Sequence, residues 1–371
     1  MQNSNETATA PRFVLIGGFL GAGKSTTVAR LAEHYTACGQ RVGIVTNDQA
    51  PGLVDSHALR QQGFDVGEVA GACFCCSFHE LTDVLRDLSQ RQLPEVILAE
   101  PVGSCTDLVA TVMRPLVAMY ERPLRVAPYG VLIKPSHAQR ILGLSSQRGF
   151  SPKADYIFRK QAEEADFLVI NRIDVLAEEA ADELERALRN EFPGRPVLRM
   201  SARTGTGFSA YLEYLEQEGS FATQVIDVDY DVYAEGEAEL GWLNAQLVVR
   251  SPSLVELDGL LMELITDIQS RIVQQDGEIA HLKILGMADG NYAVVNSVTR
   301  YHPPEVSLAS HAMVRQANVV INARVGTDPV KLERLVREAV AELSDRRGML
   351  SSLDTLQSFR PGRPVPVHRI S

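Results

Sequence analysis

Short apolar runs alternate with longer amphipathic stretches over roughly the first 220 positions. The runs at 12–16, 41–45, 64–69, 95–99, 129–133, 166–170 and 196–198 are too short for helices and rich in Val, Ile and Leu, which predicts buried strands. Most of the gaps between them carry a helical pattern. Such alternation predicts an α/β fold, a mainly parallel sheet flanked by helices on both faces. Ligands of that architecture sit beyond the carboxyl ends of the strands, so the residues that follow each run are the place to look for chemistry.

The pattern changes in the second half. Residues 242–250, 279–285, 292–298 and 318–323 read as strands and 255–274 and 328–343 as helices, in the order β-α-β-β-β-α. This predicts a smaller α+β domain of the ferredoxin-like kind, without strong catalytic motifs. The expected division is a disordered 1–11, an α/β domain over 12–222, an acidic linker over 223–240, the α+β domain over 241–345 and an extended tail over 346–371. The linker carries Asp227, Asp229, Asp231, Glu235, Glu237 and Glu239 without a basic residue and reads as solvated. His281, His302 and His311 are scattered and read as structural.

Gly18-Phe-Leu-Gly-Ala-Gly-Lys-Ser25 follows the first run and opens a helical segment from 24 to about 37. It is a complete G-x-x-x-x-G-K-[ST] pattern in strand–loop–helix context, the signature of a phosphate-binding loop and a P-loop NTPase. Gly18, Gly21 and Gly23 permit backbone conformations that turn successive N–H groups, with those of Ala22 and Thr26, around a phosphate chain. Lys24 is placed to reach the β- and γ-phosphates, and the Ser25 hydroxyl to ligate magnesium.

Other strand ends carry further candidates. Thr46-Asn-Asp48 opens a loop in which Asp48 could bind magnesium or orient the attacking water, or serve only as turn chemistry. Cys73-Phe-Cys-Cys76 gathers three soft ligands that suit a tetrahedral thiophilic ion, zinc foremost and cobalt or nickel next; the alternative is a helix-packing turn. His79, three residues on, is either a fourth ligand or an exposed helix residue. Glu100-Pro-Val-Gly103 has the carboxylate and glycine of a second γ-phosphate-sensing loop, with Glu100 a candidate to position water. Cys105, inside that loop, either joins a metal site or packs. Asn171-Arg172-Ile-Asp174 fits guanine recognition, the Asp174 carboxylate accepting from the base, and Ser201-Ala202 lies where a base-capping loop belongs.

Composition narrows the partners. The net charge of −11 argues against nucleic acid, whose footprint is usually a basic face. No apolar run reaches a membrane span, and residues 1–11 lack the basic start and apolar centre of a signal peptide, so a cytoplasmic location is expected. Five cysteines, three of them clustered, point to metal or redox chemistry in a reducing compartment.

Together these motifs resemble the CobW/HypB/UreG family of P-loop GTPases over about residues 12–220, and the CobW-like branch in the run from Gly17 to Thr26 followed by CxCC. The resemblance implies GTP hydrolysis coupled to metal insertion into a client metalloenzyme or its maturation machinery, the CxCC cysteines as ligands, and nucleotide-dependent homodimers in some members. Three features depart from it: Ala72 stands between Gly71 and Cys73, Lys134-Pro135 replaces a Val-Asp pair, and no His-rich tract is present. A regulatory switch without metal delivery, and another P-loop hydrolase or kinase, are the alternative readings.

Overall fold

A computed structural model describes residues 10–48, 54–146 and 151–371. The chain begins with β1 (Arg12–Gly18), α1 (Lys24–Ala37), β2 (Val42–Asp48), α2 (Val54–Gln61), β3 (Asp65–Ala70), α3 (Phe78–Gln92) and β4 (Val96–Glu100). A π-helical turn over Val109–Met113 leads into α4 (Arg114–Met119), β5 (Arg125–Val126), β6 (Gly130–Ile133), α5 (Pro135–Ile141), α6 (Pro152–Glu164) and β7 (Phe167–Ile170). After a 3-10 turn at Ile173–Val175 come α7 (Glu178–Glu191), β8 (Val197–Arg199), α8 (Phe208–Leu215) and α9 (Tyr230–Ala238). The strands lie in the order β3-β2-β4-β1-β6-β7-β8, all parallel, with the short β5 beside β1. The strands expected from the apolar runs are present, with ends moved by at most three residues; β5 was not foreseen. Alternation along β1 feeds two cores: Phe13 and Leu15 pack with α3 and α6, Val14 and Ile16 with α1 and α8.

The second half forms a separate antiparallel sheet from β9 (Gly241–Glu256), β10 (Glu278–Ala288), β11 (Asn291–Ser297), β12 (Glu305–Leu308), β13 (Met313–Gly326) and β14 (Leu350–Phe359), ordered β12-β11-β10-β13-β9-β14. Helices α10 (Leu257–Gln274) and α11 (Pro329–Arg347) cover one face, where Leu243, Leu247, Leu282, Ile284, Ile321 and Ala323 join their core. Period-two alternation sends Trp242, His281, Lys283, Asn296 and Arg324 to the other face, which roofs the cavity of the first domain.

Three parts of the chain differ from the sequence reading. The acidic stretch 223–240 contains α9, capped by the Asp229 carboxylate, which accepts from the Asp231 and Val232 amides at 2.9 and 3.1 Å. Tyr233, Gly236 and Glu237 are buried; a Cβ at Gly236 would lie 2.5 Å from the Lys153 carbonyl oxygen of α6, so the glycine permits the close approach. The tail forms the edge strand β14, antiparallel to β9, and then runs back over the first domain, where the Val367 amide donates to the Cys75 carbonyl at 2.9 Å and the Ile370 amide to the Ala110 carbonyl at 2.8 Å. The short β12 was also missed, its four alternating residues being too few for a strong strand signal.

Polar bonds tie the two halves together. Lys134 donates to the Val298 carbonyl, and Arg140 pairs with Glu278 at 3.0 Å with side chains 5% and 10% exposed. Replacing Arg140 by Met strands the Glu278 carboxylate in this interface, a loss of about 3–5 kcal/mol by the usual cost of breaking a buried pair. Urea unfolding checks this; an unchanged midpoint would show that the pair does not hold the halves together.

Candidate functional site

The loop after β1 adopts the backbone its glycines allow, with φ of 136°, 73° and 94° at Gly18, Gly21 and Gly23, and α1 starts at Lys24. Lys24 is 7% exposed and its Nζ donates to the Gly18 carbonyl at 3.0 Å. Ser25 Oγ donates to Glu100 Oε1 at 2.9 Å across the gap between the first helix and the end of β4. A Cβ at Gly103 would lie 2.9 Å from Lys24 Nζ, so the loop after Glu100 rests directly on the lysine. Gly21, Gly23, Lys24, Ser25, Thr26, Glu100 and Gly103 share a cavity of 490 Å³ with Arg172, Ala202 and Arg203. The Asp48 backbone ends β2, and its side chain lies outside the described residues.

Asn171, outside the lining of this cavity as are Asp174 and Ser201, ties the phosphate-binding loop to the loop after β8. Its Nδ2 donates to the Ala22 carbonyl at 2.8 Å while its Oδ1 accepts from the Ala202 amide at 2.9 Å. Asp174 accepts from Ser201 Oγ at 2.6 Å and pairs with Arg203. Burial pushes its carboxyl up, but the bonds from Ser201 and Arg203 outweigh it and hold the group below the usual value. Arg172, with φ of 62°, turns toward the second domain and binds Glu305 at 2.6 Å.

The cysteines gather on the other side of β4. Cys73 Sγ lies 3.0 Å from Cys75 Sγ and 3.2 Å from Cys76 Sγ, and the last two are 3.8 Å apart. A tetrahedron with sulfurs about 2.3 Å from its centre has edges of about 3.8 Å, so three corners are near their places. Cys105 is buried in the same core as Cys73 and Cys75 but lies outside the sulfur group. The neighbouring thiols of Cys105, Cys75 and Cys76 hold the Cys73 thiol well below the ordinary range, while Cys73 in turn pushes Cys75 and Cys105 up and Cys76 to about 11. His79 is exposed, with its ring 5.6 Å from that of His368, and stands apart from the sulfur group.

Sequence reasoning missed three contributors. Asn47 grips the cysteine loop: its Nδ2 donates to the carbonyls of Val69 and Ala72 at 3.0 and 2.8 Å, and its Oδ1 accepts from the Phe74 amide at 2.8 Å. Its place beside Asp48 after a buried strand was the available signal. Tyr233 of α9 packs in the same core as Cys73 and Cys75, and Glu237 of the same helix accepts from Ser104 Oγ. The tail closes the outside, the Val365 amide donating to Cys76 Sγ at 3.2 Å and Arg369 pairing with Asp107 at 2.8 Å.

A model of the CobW/HypB/UreG nucleotide-binding domain matches residues 12–199. The chain belongs to the CobW/HypB/UreG family. It is 29% identical over 236 residues to urease accessory protein UreG 2 of a Bradyrhizobium species, covering 60% of this chain and 97% of that protein. It is 25% identical over 207 residues to the zinc chaperone CobW of Pseudomonas aeruginosa, covering 48% of this chain and 53% of that one, so it spans about half of that relative. Among solved structures, Zn(II)-bound YjiA GTPase from E. coli aligns at 15% identity over 90% of this chain and 99% of that one, with a TM-score of 0.37. No helix among the described residues is long and apolar enough to cross a membrane.

Glu164 anchors the segment after Cys105, accepting from Thr106 Oγ1 at 3.3 Å and the Val109 amide at 3.1 Å. Burial pushes its carboxyl from 4.5 up to about 8. Between these values the folded chain keeps a proton that the unfolded chain has lost, so stability falls as pH rises through the window. Urea midpoints of Glu164→Gln measured across it should fall less steeply than those of the parent. Glu237, also raised to about 8, leaves a residual slope in the variant. Parallel profiles would contradict a neutral buried Glu164.

Proposed function

We propose that this protein binds and hydrolyses GTP and uses the nucleotide cycle to hold a thiophilic divalent metal and hand it to a client metalloenzyme or its maturation machinery. Zinc is the foremost cargo, with cobalt or nickel as alternatives. The observation that carries the reading is the sulfur triad of Cys73, Cys75 and Cys76, two of them buried, in the loop held by Asn47 at the end of β2. The kinship with proteins named zinc chaperone and urease accessory protein supports it.

The cavity's donors fit a nucleotide with magnesium. The N–H groups of Gly21 to Thr26 and the Lys24 ammonium meet the phosphates, and Ser25 and Asp48 hold magnesium, which neutralises charge on the phosphate oxygens when bound. The existing bond from Ser25 Oγ to Glu100 supports this fit, since it places a hydroxyl and a carboxylate together at the mouth of the loop. Glu100 or Asp48 orients the attacking water, the Gly103 amide senses the γ-phosphate, and Lys24 stabilises the charge that develops on transfer. Asp174 accepts from the guanine N1–H and amine, with Asn171, Ser201 and Ala202 fixing its loop and Arg172 beside the base.

Chelator competition under anaerobic reducing conditions, run beside assays of GTP and ATP turnover, tests the reading. Zinc affinity should fall at least about tenfold in Cys75→Ser, and Asp174→Asn should lower the preference for GTP over ATP by about a hundredfold or more. Cysteine-independent zinc binding would leave a regulatory GTPase. Equal use of ATP and GTP by the parent chain would point to another P-loop hydrolase or kinase.

A further inference from the structure

The second sheet rests on the phosphate-binding loop itself. A Cβ at Gly21 would lie 2.9 Å from the Ala280 carbonyl oxygen of β10 and 3.4 Å from Val298 Cβ, so the glycine permits a close approach of the two domains. Beyond Ala280, His281 and Lys283 share one face of β10 and both line the cavity. Arg324, opposite His281 on β13, is 2% exposed and lies over the Trp242 ring at 4.0 Å, with its Nη1 donating to the Leu243 carbonyl and Asn244 Oδ1 at 3.2 and 3.1 Å. Its charge is fixed in place.

The cavity runs against the charge of the chain. Among the described residues its cationic lining is Lys24, Arg30, Arg172, Arg203, Lys283 and Arg324, against the carboxylates of Glu33 and Glu100, in a chain of net charge −11. A cleft that gathers one sign concentrates the other, here a polyanion. The order of strands separates the two ends of that ligand. Edge strand β12 offers Glu305 to Arg172 and Arg203 beside the proposed base site, whereas β10 lies two strands further in, about 10 Å at the usual spacing, and beside Gly21. Lys283 therefore stands at the phosphate end.

We propose that Lys283 of the second domain binds the γ-phosphate of a GTP whose other contacts lie in the first domain, so that the nucleotide bridges the two. This rests on the reading of the cavity as a GTP site and adds a binding residue from the opposite wall. A compact ammonium on a four-carbon stem can follow a phosphate oxygen, while Arg324, locked against Trp242, supplies a constant field behind it. Hydrolysis removes the anion that both walls share, and the domains are then held together less tightly.

Affinities of the full chain for Mg-GDP and for a non-hydrolysable GTP analogue with magnesium test this. Lys283→Met should weaken the analogue by about tenfold or more, the worth of one hydrogen bond to a charged group, and leave GDP within about twofold, while Lys283→Arg recovers most of the loss. Equal losses for the two nucleotides, or no loss in a folded variant, overturn the assignment. Should Lys283→Met fail to fold, acetylation of the parent decides: the analogue should shield Lys283 more than GDP does, while Lys331, exposed on α11, reacts alike in both. Equal shielding of Lys283 overturns it and leaves the GTP site intact. A parent chain that binds neither nucleotide overturns the underlying reading and this one with it.

Discussion

The position of β4 between β2 and β1 is the constraint from which the rest follows. Parallel pairing sets Thr46 opposite Glu100 and Leu15 opposite Ala99, so the phosphate loop, the Asn47-Asp48 loop and the Glu100 loop leave the sheet side by side. Asp48 pairs with Ala70, which brings the start of the cysteine loop level with the same edge. The cavity borders the first three of these loops, as a parallel sheet with reversed strand order requires, and the cysteine loop lies beyond Asn47. Asn47 converts adjacency into a mechanical link, because its amide satisfies buried backbone groups of the cysteine loop that no ladder reaches.

The second domain is more than an appendage. Its sheet turns a polar face to the cavity, and Glu305 binds both Arg172 and Arg203 beside the proposed base site. The tail crosses from the edge of this sheet to the cysteines, so both the cavity side and the cysteine side of the first domain touch segments from the C-terminal third. Movements of the first domain's loops are thus opposed by bonds to the second.

The parallel sheet was legible because its strands are buried on both faces and read as continuous apolar runs, such as Val96–Glu100 and Phe167–Ile170. The glycine-rich loop and the cysteines were legible because their chemistry demands particular residues at fixed spacing. Helix α9 was not, since its buried Tyr233, Gly236 and Glu237 sit in a run of acids whose composition speaks for solvent. Strand β14 was hidden by its polar edge sequence, and the course of the tail depends on tertiary bonds, among them Arg369 with Asp107, that no local pattern carries. Asn47 was passed over beside Asp48 because its role lies in the loop of another strand.

The central claim is that the nucleotide cavity and the sulfur cluster are coupled through the loops they share. Zinc affinity measured by chelator competition, once with Mg-GTP and once with Mg-GDP on the same anaerobic preparation, tests it most directly. The account predicts affinities that differ by about tenfold or more, a coupling in the usual range for linked sites. Equal affinities in the two nucleotide states would contradict it.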